Sequence, residues 1–149
     1  MWSIGQTFPN VFDIIDMNWL KTININKSDA LKSTSVYISM SELAKRYAVL
    51  IDIQGYGYSG RLKYLLWSHR PMLLVNRPHK EFFYDNLVAW EHYIPVKEDL
   101  SDLVEQTQWC LNNYEKAKEI AENAFQFCQK YLTRDACYKR WNEIIEKKC

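Results

Sequence analysis

At 149 residues, 48% hydrophobic and 15% aromatic, with four Gly and four Pro, the chain carries the apolar surface of one folded domain, which excludes disordered, collagen-like and low-complexity classes. Nineteen Lys and Arg against eighteen Asp and Glu leave a net charge of +1, too balanced for a protein that tracks nucleic acid through many phosphate contacts. The four cysteines, Cys110, Cys128, Cys137 and Cys149, form no CxxC pair, so zinc is disfavoured and free thiols buried as small hydrophobes are expected.

The opening MWSIGQTFPNVFDIIDMNWLK shows no basic leader followed by an apolar run, and no stretch reaches the roughly 18 apolar residues of a membrane span. A soluble protein is the expectation, and an opening inside a strand-rich segment suits a fragment as well as a native start. Val11 to Ile15 and Ser35 to Met40 read as strands flanking a polar stretch, TININKSDALKST, that reads as loop or weak helix. Tyr47 to Ile53, YAVLIDI, is nearly all apolar, the pattern of a strand buried on both faces of a parallel sheet. The glycine-punctuated QGYGYSG then leads into RLKYLLWSH, where Leu62, Leu65 and Leu66 share a helical face, so a βα unit opens here. Met72 to Val75 reads as a strand, His79 to Leu87 as a helix, and His92 to Val96 as a strand end with Pro95 at an edge.

From Asp99 the pattern is helical, with Asp99 as candidate N-cap. Leu100, Leu103, Val104, Thr107 and Leu111 share one face, and Ala117, Ile120, Ala121, Ala124, Cys128 and Tyr131 share a second. Cys137, Trp141, Ile144 and Ile145 share a third, and Trp109 and Trp141 are expected to be buried. The predicted fold class is α/β, a Rossmann-like parallel sheet with flanking helices and a helical C-terminal tail. Its division is a lead-in over 1–35, a βα core over 36–98 and a helical tail over 99–149, all in one lobe.

Chemistry concentrates in the loop Gly55, Gly57, Tyr58, Ser59, Gly60 and Arg61, after the best strand and before a helix. Ligands of open α/β sheets bind at that edge. Glycines admit a phosphate close to the backbone, a helix N-terminus offers free N–H groups, Ser59 adds a hydroxyl, and Arg61 can fork onto two oxygens. The loop lacks the Lys-Ser/Thr ending of a P-loop and the spacing of a dinucleotide fingerprint, so an anion site and a structural turn with an exposed Arg both remain open. Arg61, Lys63, Arg70, Arg77, Lys80, His69 and His79 gather around this turn, a cluster that reads either as a solvated face or as part of a site. Asp52 ends the strand, where it could touch a ligand or cap the loop.

The stretch from Tyr47 to Asp102, with IDIQGYGYSGRLKYLL, KEFFYDNL and HYIPVKEDLSDL in that order, resembles the C-terminal half of the CAP10-like glycosyltransferases, glycosyltransferase family 90. The resemblance covers roughly residues 36 to 132, and GYGYSGRLKYLL and HYIPVKEDLSDL look closer to the bacterial, lipopolysaccharide-modifying branch than to the eukaryotic secretory one. The first branch implies a cytoplasmic protein, free or peripheral at the inner membrane, and the second a protein of the secretory lumen. The resemblance implies the donor-binding lobe of a GT-B enzyme that transfers a sugar from a nucleotide-sugar, UDP-linked, to a glycan, lipopolysaccharide or protein hydroxyl with inversion and without a metal or other cofactor. Matched by motif, Gly55 through Arg61 would hold the diphosphate and Glu81 the ribose hydroxyls. His92, Tyr93, Pro95 and Asp99 match the HYIPVxxD motif and read as structural, while Phe82, Phe83 and Tyr84 read as core.

The family's acceptor site and catalytic aspartate lie in an N-terminal lobe for which 149 residues leave no room. Asp13, Asp16 and Asp29 stand in no matching motif, so no catalytic base is named. A partner lobe or self-association is expected to complete the cleft. The competing reading is a non-catalytic nucleotide-sugar-binding module.

Overall fold

The computed structural model describes residues 2–13, 15–17, 32–34, 38–53, 55 and 57–147, which separate into two compact units, Met1–Ser39 and Met40–Cys149. In the first, a helix α1 (Trp2–Thr7) precedes two parallel strands, β1 (Ile15–Met17) and β2 (Lys32–Thr34). The strand expected over Val11 to Ile15 therefore begins only at Ile15, because Phe8 accepts the N–H groups of Val11 and Phe12 in a turn. Of the strand expected over Ser35 to Met40, residues 35–37 lie outside the described residues, while Ile38 and Ser39 belong to no strand and Met40 opens a helix.

The second unit is built on three parallel strands in the order β3 (Leu50–Asp52), β4 (Met72–Val75), β5 (Ile94–Val96). Leu50 faces Met72 across the first pair and Leu73 faces Ile94 across the second. All four residues of β4 are buried, as a central strand covered on both faces requires. Met72 and Leu74 point to one face with Leu50, against Leu62, Leu65 and Leu66 of α3 (Leu62–Leu66), Phe83, and Ala124, Phe127 and Cys128 of α5 (Tyr114–Tyr131). Strand alternation sends Leu73 and Val75 to the opposite face. There α4 (Leu103–Asn112) packs on β5 and buries Leu103, Thr107 and Cys110. The helix α2 (Met40–Arg46) leans on α3, and Arg70 ties it down by donating from Nε to the Ala44 carbonyl at 2.6 Å.

The mixed α/β class with a helical C-terminal region stands, and particular elements differ from their sequence-based ranges. YAVLIDI supplies only three strand residues, since β4 offers it only Met72 to Leu74 as partners. His79 to Leu87 is not a helix: only Tyr84–Asn86 forms a 3-10 turn, because Pro78 and the burial of Phe83 hold the chain against the core instead. Asp102, not Asp99, stands at the start of α4. Asp99 instead accepts the Ser101 N–H at 2.9 Å and Asp102 accepts the Lys97 N–H at 2.9 Å, a pair of loop bonds around Leu100 at φ 62°.

On α4 the apolar face rotates to Cys110, leaving Leu111 exposed, and Trp109 is half-buried, its ring edge-on to Trp90 at 4.9 Å. α6 (Arg134–Glu146), capped by the Thr133 hydroxyl accepting the Ala136 N–H, buries none of its residues. Trp141 is 63% exposed, contrary to expectation, and Cys137 is half-buried, because α6 meets α5 and no second layer covers its outer face among the described residues. Cys110 and Cys128 are the buried free thiols expected, and burial pushes them up to about 11 and about 12.

Leu62 is fully buried at the start of α3, so Leu62→Ala should cost about 2–5 kcal/mol through lost transfer energy and the cavity left behind. The measurement is a denaturant titration, in which the midpoint falls while the slope is unchanged. Trp141→Ala should shift stability by less than about 0.5 kcal/mol in the same assay.

Candidate functional site

The site begins with a carboxylate that has nowhere to go but inward. Asp52 is the last residue of β3 and is fully buried, so its charge must be met inside the protein. Three side chains meet it. The Ser59 hydroxyl donates to Oδ1 at 2.8 Å and Arg61 Nη2 donates to the same oxygen at 3.2 Å. Arg77 Nη2 donates to Oδ2 at 2.8 Å and to the Asp52 main-chain carbonyl at 3.0 Å, while its Nε reaches the Val75 carbonyl at 3.3 Å. The loop is thus folded back onto the end of its own strand, and the segment after β4 is locked to the end of β3.

The two guanidiniums differ in exposure. The Arg77 side chain is 1% exposed, and its Nη1 is buried without a hydrogen-bond partner among the described residues. Arg61 is 56% exposed and keeps one nitrogen on Asp52 and the Ile53 carbonyl. A cation held at its base and open at its tip, on the carboxyl edge of a parallel sheet, can take an anionic ligand.

Gly55, Gly57 and Gly60 have no positive φ, and an added Cβ at any of them would meet nothing within 4 Å. They are therefore not demanded by the protein's own packing, and they leave a low, open surface beside Arg61. Tyr58 is exposed; Gln54 and Tyr56 of the same loop lie outside the described residues. No helix N-terminus among the described residues serves the site, contrary to the expectation from the sequence. α3 has only five residues, and the Leu62 N–H already turns back toward the Ser59 carbonyl at 3.3 Å, so the positive field comes from Arg61 and not from a helix terminus.

Glu81 lies beyond Arg77 in an irregular segment and is half-buried, with Oε1 unpartnered among the described residues. Burial, with the Asp52 charge adding to it, lifts its carboxyl above the usual range against the pull of Lys63 and Arg77. A cavity of about 210 Å³ at the ends of β4 and β5 is lined by Arg77, Lys80, Tyr84, Leu87, Tyr93 and Pro95, among others. Burial pushes the Tyr84 phenol up to about 12 and raises Tyr93 as well, so both are neutral hydrogen-bonding groups.

The structure brings Ser59, Arg61 and the glycines together and sets Glu81 near the same carboxylate. Phe83 is core, as expected, but Phe82 is 51% exposed. The cationic cluster of the sequence divides: Arg70 holds α2, His69 Nδ1 lies 3.1 Å from Glu122, and Arg77 is buried, so these three are engaged within the protein. Asp13 is exposed, Asp16 lies on β1, and Asp29 lies outside the described residues. Arg77 is the residue the sequence reading undervalued. Its signal was Asp52 itself, because an acid ending a buried strand needs a buried cation, and Arg77 follows the next strand.

His92 has a structural job. Its Nδ1 accepts the Val88 N–H at 3.0 Å while the ring packs 5.0 Å from Phe127, and burial lowers its tendency to ionise, against a smaller opposing pull from Glu91.

The family model described as glycosyl transferase family 90 matches residues 16–148. Uncharacterized protein 179R of Invertebrate iridescent virus 6 is 37% identical over 141 residues, covering 90% of this chain and 12% of its own length. Protein O-glucosyltransferase 1 of Homo sapiens is 36% identical over 104 residues, covering 68% of this chain and 26% of its own. Protein O-glucosyltransferase 2 of Danio rerio is 34% identical over 102 residues, covering 68% of this chain and 20% of its own. The chain therefore spans about a quarter or less of the length of these relatives. No described helix is long and apolar enough to cross a membrane.

Because the folded state disfavours His92 protonation, His92 supports stability above its ordinary value of 6.5, and that support is lost as the pH falls below it. His92→Asn keeps an acceptor for the Val88 N–H and does not titrate. Between about pH 7.5 and pH 5.5 its melting temperature should fall less than that of the parent chain, and thermal melts at the two pH values check this.

Proposed function

The chain belongs to glycosyltransferase family 90, and from that premise we propose that the unit Met40–Cys149 is the donor-binding lobe of a UDP-sugar transferase. The observation that carries the reading is the half-exposed Arg61 guanidinium, anchored on the buried Asp52 at the carboxyl edge of the parallel sheet. Arg61 takes the diphosphate oxygens, and the backbone of Gly55, Gly57, Tyr58 and Gly60 comes close to them because no side chain stands in the way at the three glycines. Ser59 holds the loop through Asp52 rather than offering a free hydroxyl, so its contact with the nucleotide is through the main chain. Glu81 accepts from the ribose hydroxyls, which supply the partner its Oε1 lacks among the described residues.

In the transfer the acceptor hydroxyl oxygen attacks the anomeric carbon, the bond from that carbon to the diphosphate oxygen breaks, and the configuration inverts. The hydroxyl proton passes to a general base. Negative charge grows on the departing nucleoside diphosphate, where Arg61 stabilises it without a metal ion. The relatives named protein O-glucosyltransferase favour glucose as the sugar and a protein hydroxyl as the acceptor. Base and acceptor site come from a second lobe, in keeping with the small share of each relative that this chain spans. Aligning donor, acceptor and base contributes about 7–11 kcal/mol in reactions of this kind, which a donor lobe by itself does not supply.

Titration calorimetry of the chain with UDP tests the reading. The wild type should bind, EDTA should leave the affinity unchanged, and Arg61→Ala should weaken it roughly tenfold or more, the effect of losing a charge-assisted contact. Equal affinity in Arg61→Ala and wild type, or loss of binding with EDTA, overturns the assignment.

A further inference from the structure

We propose that Arg77, out of reach of solvent, is a positioning residue that keeps the Arg61 guanidinium available to an anionic ligand. The inference rests on the nucleotide-binding reading above and concerns how that binding charge is kept free. One buried carboxylate stands between two guanidiniums. Within this hydrogen-bonded cluster one negative charge against two positive ones leaves a single positive charge, and the neighbouring Glu81 and Lys63 oppose one another in sign. Because Arg77 is 1% exposed while Arg61 is 56% exposed, the surplus emerges at Arg61.

The contacts divide the carboxylate in the same sense. Arg77 takes Oδ2 at 2.8 Å and clasps the Asp52 main-chain carbonyl, whereas Arg61 shares Oδ1 with Ser59 at the longer distance of 3.2 Å. Without Arg77, Asp52 would keep a buried charge with Arg61 as its one remaining ion-pair partner among the described residues. A charge in that environment attracts its counter-ion far more strongly than water allows. Arg61 would close down on Asp52 as a one-to-one pair, and the loop would present no net positive charge.

A purely structural clasp would not need this arrangement. Asp52 and Arg61 alone would tie the loop to β3, and a pair of apolar side chains would tie β3 to the segment after β4 without burying a guanidinium. Arg77 instead leaves Nη1 buried and unpartnered among the described residues, a cost that a tie between segments does not require.

The test uses the full chain, UDP and inorganic pyrophosphate as probes, and three variants: Arg77→Met, Arg77→Lys and the double variant Asp52→Asn/Arg77→Met. Circular dichroism confirms folding and calorimetry reads affinity. Arg77→Met should weaken both probes about tenfold or more, since Arg61 is captured by Asp52, and Arg77→Lys should retain much of the affinity. The double variant removes the capturing charge, so it should return to within about threefold of wild type. Wild-type affinity in Arg77→Met, or a folded double variant as weak as Arg77→Met, overturns the proposal; the second result would mean that Arg77 acts on the ligand directly or on the fold alone. If Arg77→Met does not fold, the double variant, which buries neither charge, decides by itself between recovery and loss. A wild-type chain that binds neither probe overturns the donor-site reading and this inference together, whereas a binding wild type with an unaffected Arg77→Met overturns only the role of Arg77.

Discussion

The buried carboxylate of Asp52 is the constraint to which the rest of the site answers. Placed at the last residue of β3 and closed off from water, it needs cations and donors at fixed positions, and the chain supplies them as three side chains from two segments. Ser59 and Arg61 come from the loop that follows its own strand, and Arg77 comes from just beyond the neighbouring strand. Leaving such a group unpaired costs on the order of 3–5 kcal/mol, a large fraction of a domain's net stability, so conformations that carry the loop away from the strand end are suppressed. The loop is short of regular structure yet held at both ends, by Asp52 on one side and by the buried Leu62 on the other.

That constraint works only because the sheet is narrow and well covered. With three parallel strands, every residue of β4 lies in the core, and α5 packs against α3 and α4 with Ala117, Ala121 and Ala124 buried. The carboxyl ends of all three strands emerge at one edge, which places Asp52, Arg77 and the 210 Å³ cavity beside one another. The helices beyond this layer are looser. Tyr138, Trp141 and Ile145 of α6 are all more than half exposed, so the last helix contributes little to the core that positions the site.

The sequence was most legible where burial alone decides the pattern. The continuous apolar run of Met72 to Val75 could be nothing but a covered strand, and the alanine-rich stripe of α5 could face only a packed layer. It was least legible where a single contact overrides periodicity. The residues from His79 to Leu87 carry a helical spacing, but Pro78 and the insertion of Phe83 into the core leave one 3-10 turn. Trp141 shares a helical face with Ile145, and periodicity cannot say whether a partner surface exists to cover that face. At the site, the loop and Arg61 were visible from glycine spacing and position. The pairing of Asp52 with Arg77 was not, because two residues 25 positions apart meet only once the register of β3 on β4 is known.

The glycines and the arginines of the site answer different demands. At Gly55, Gly57 and Gly60 neither φ nor neighbouring atoms exclude a Cβ, and glycine's extra backbone freedom makes such a loop costlier to order, by roughly 0.5–1 kcal/mol per residue. The fold alone gives no reason for that composition, whereas close approach of a diphosphate to the backbone does. Arg77 is the reverse case. Its side chain is 1% exposed, and it makes sense through the charge it leaves on Arg61. On the donor-site proposal, an open glycine loop and an Arg61 guanidinium only partly engaged by Asp52 are what would receive a diphosphate. The buried Asp52 links them, since the same carboxylate that shapes the loop would capture Arg61 if Arg77 did not hold it first.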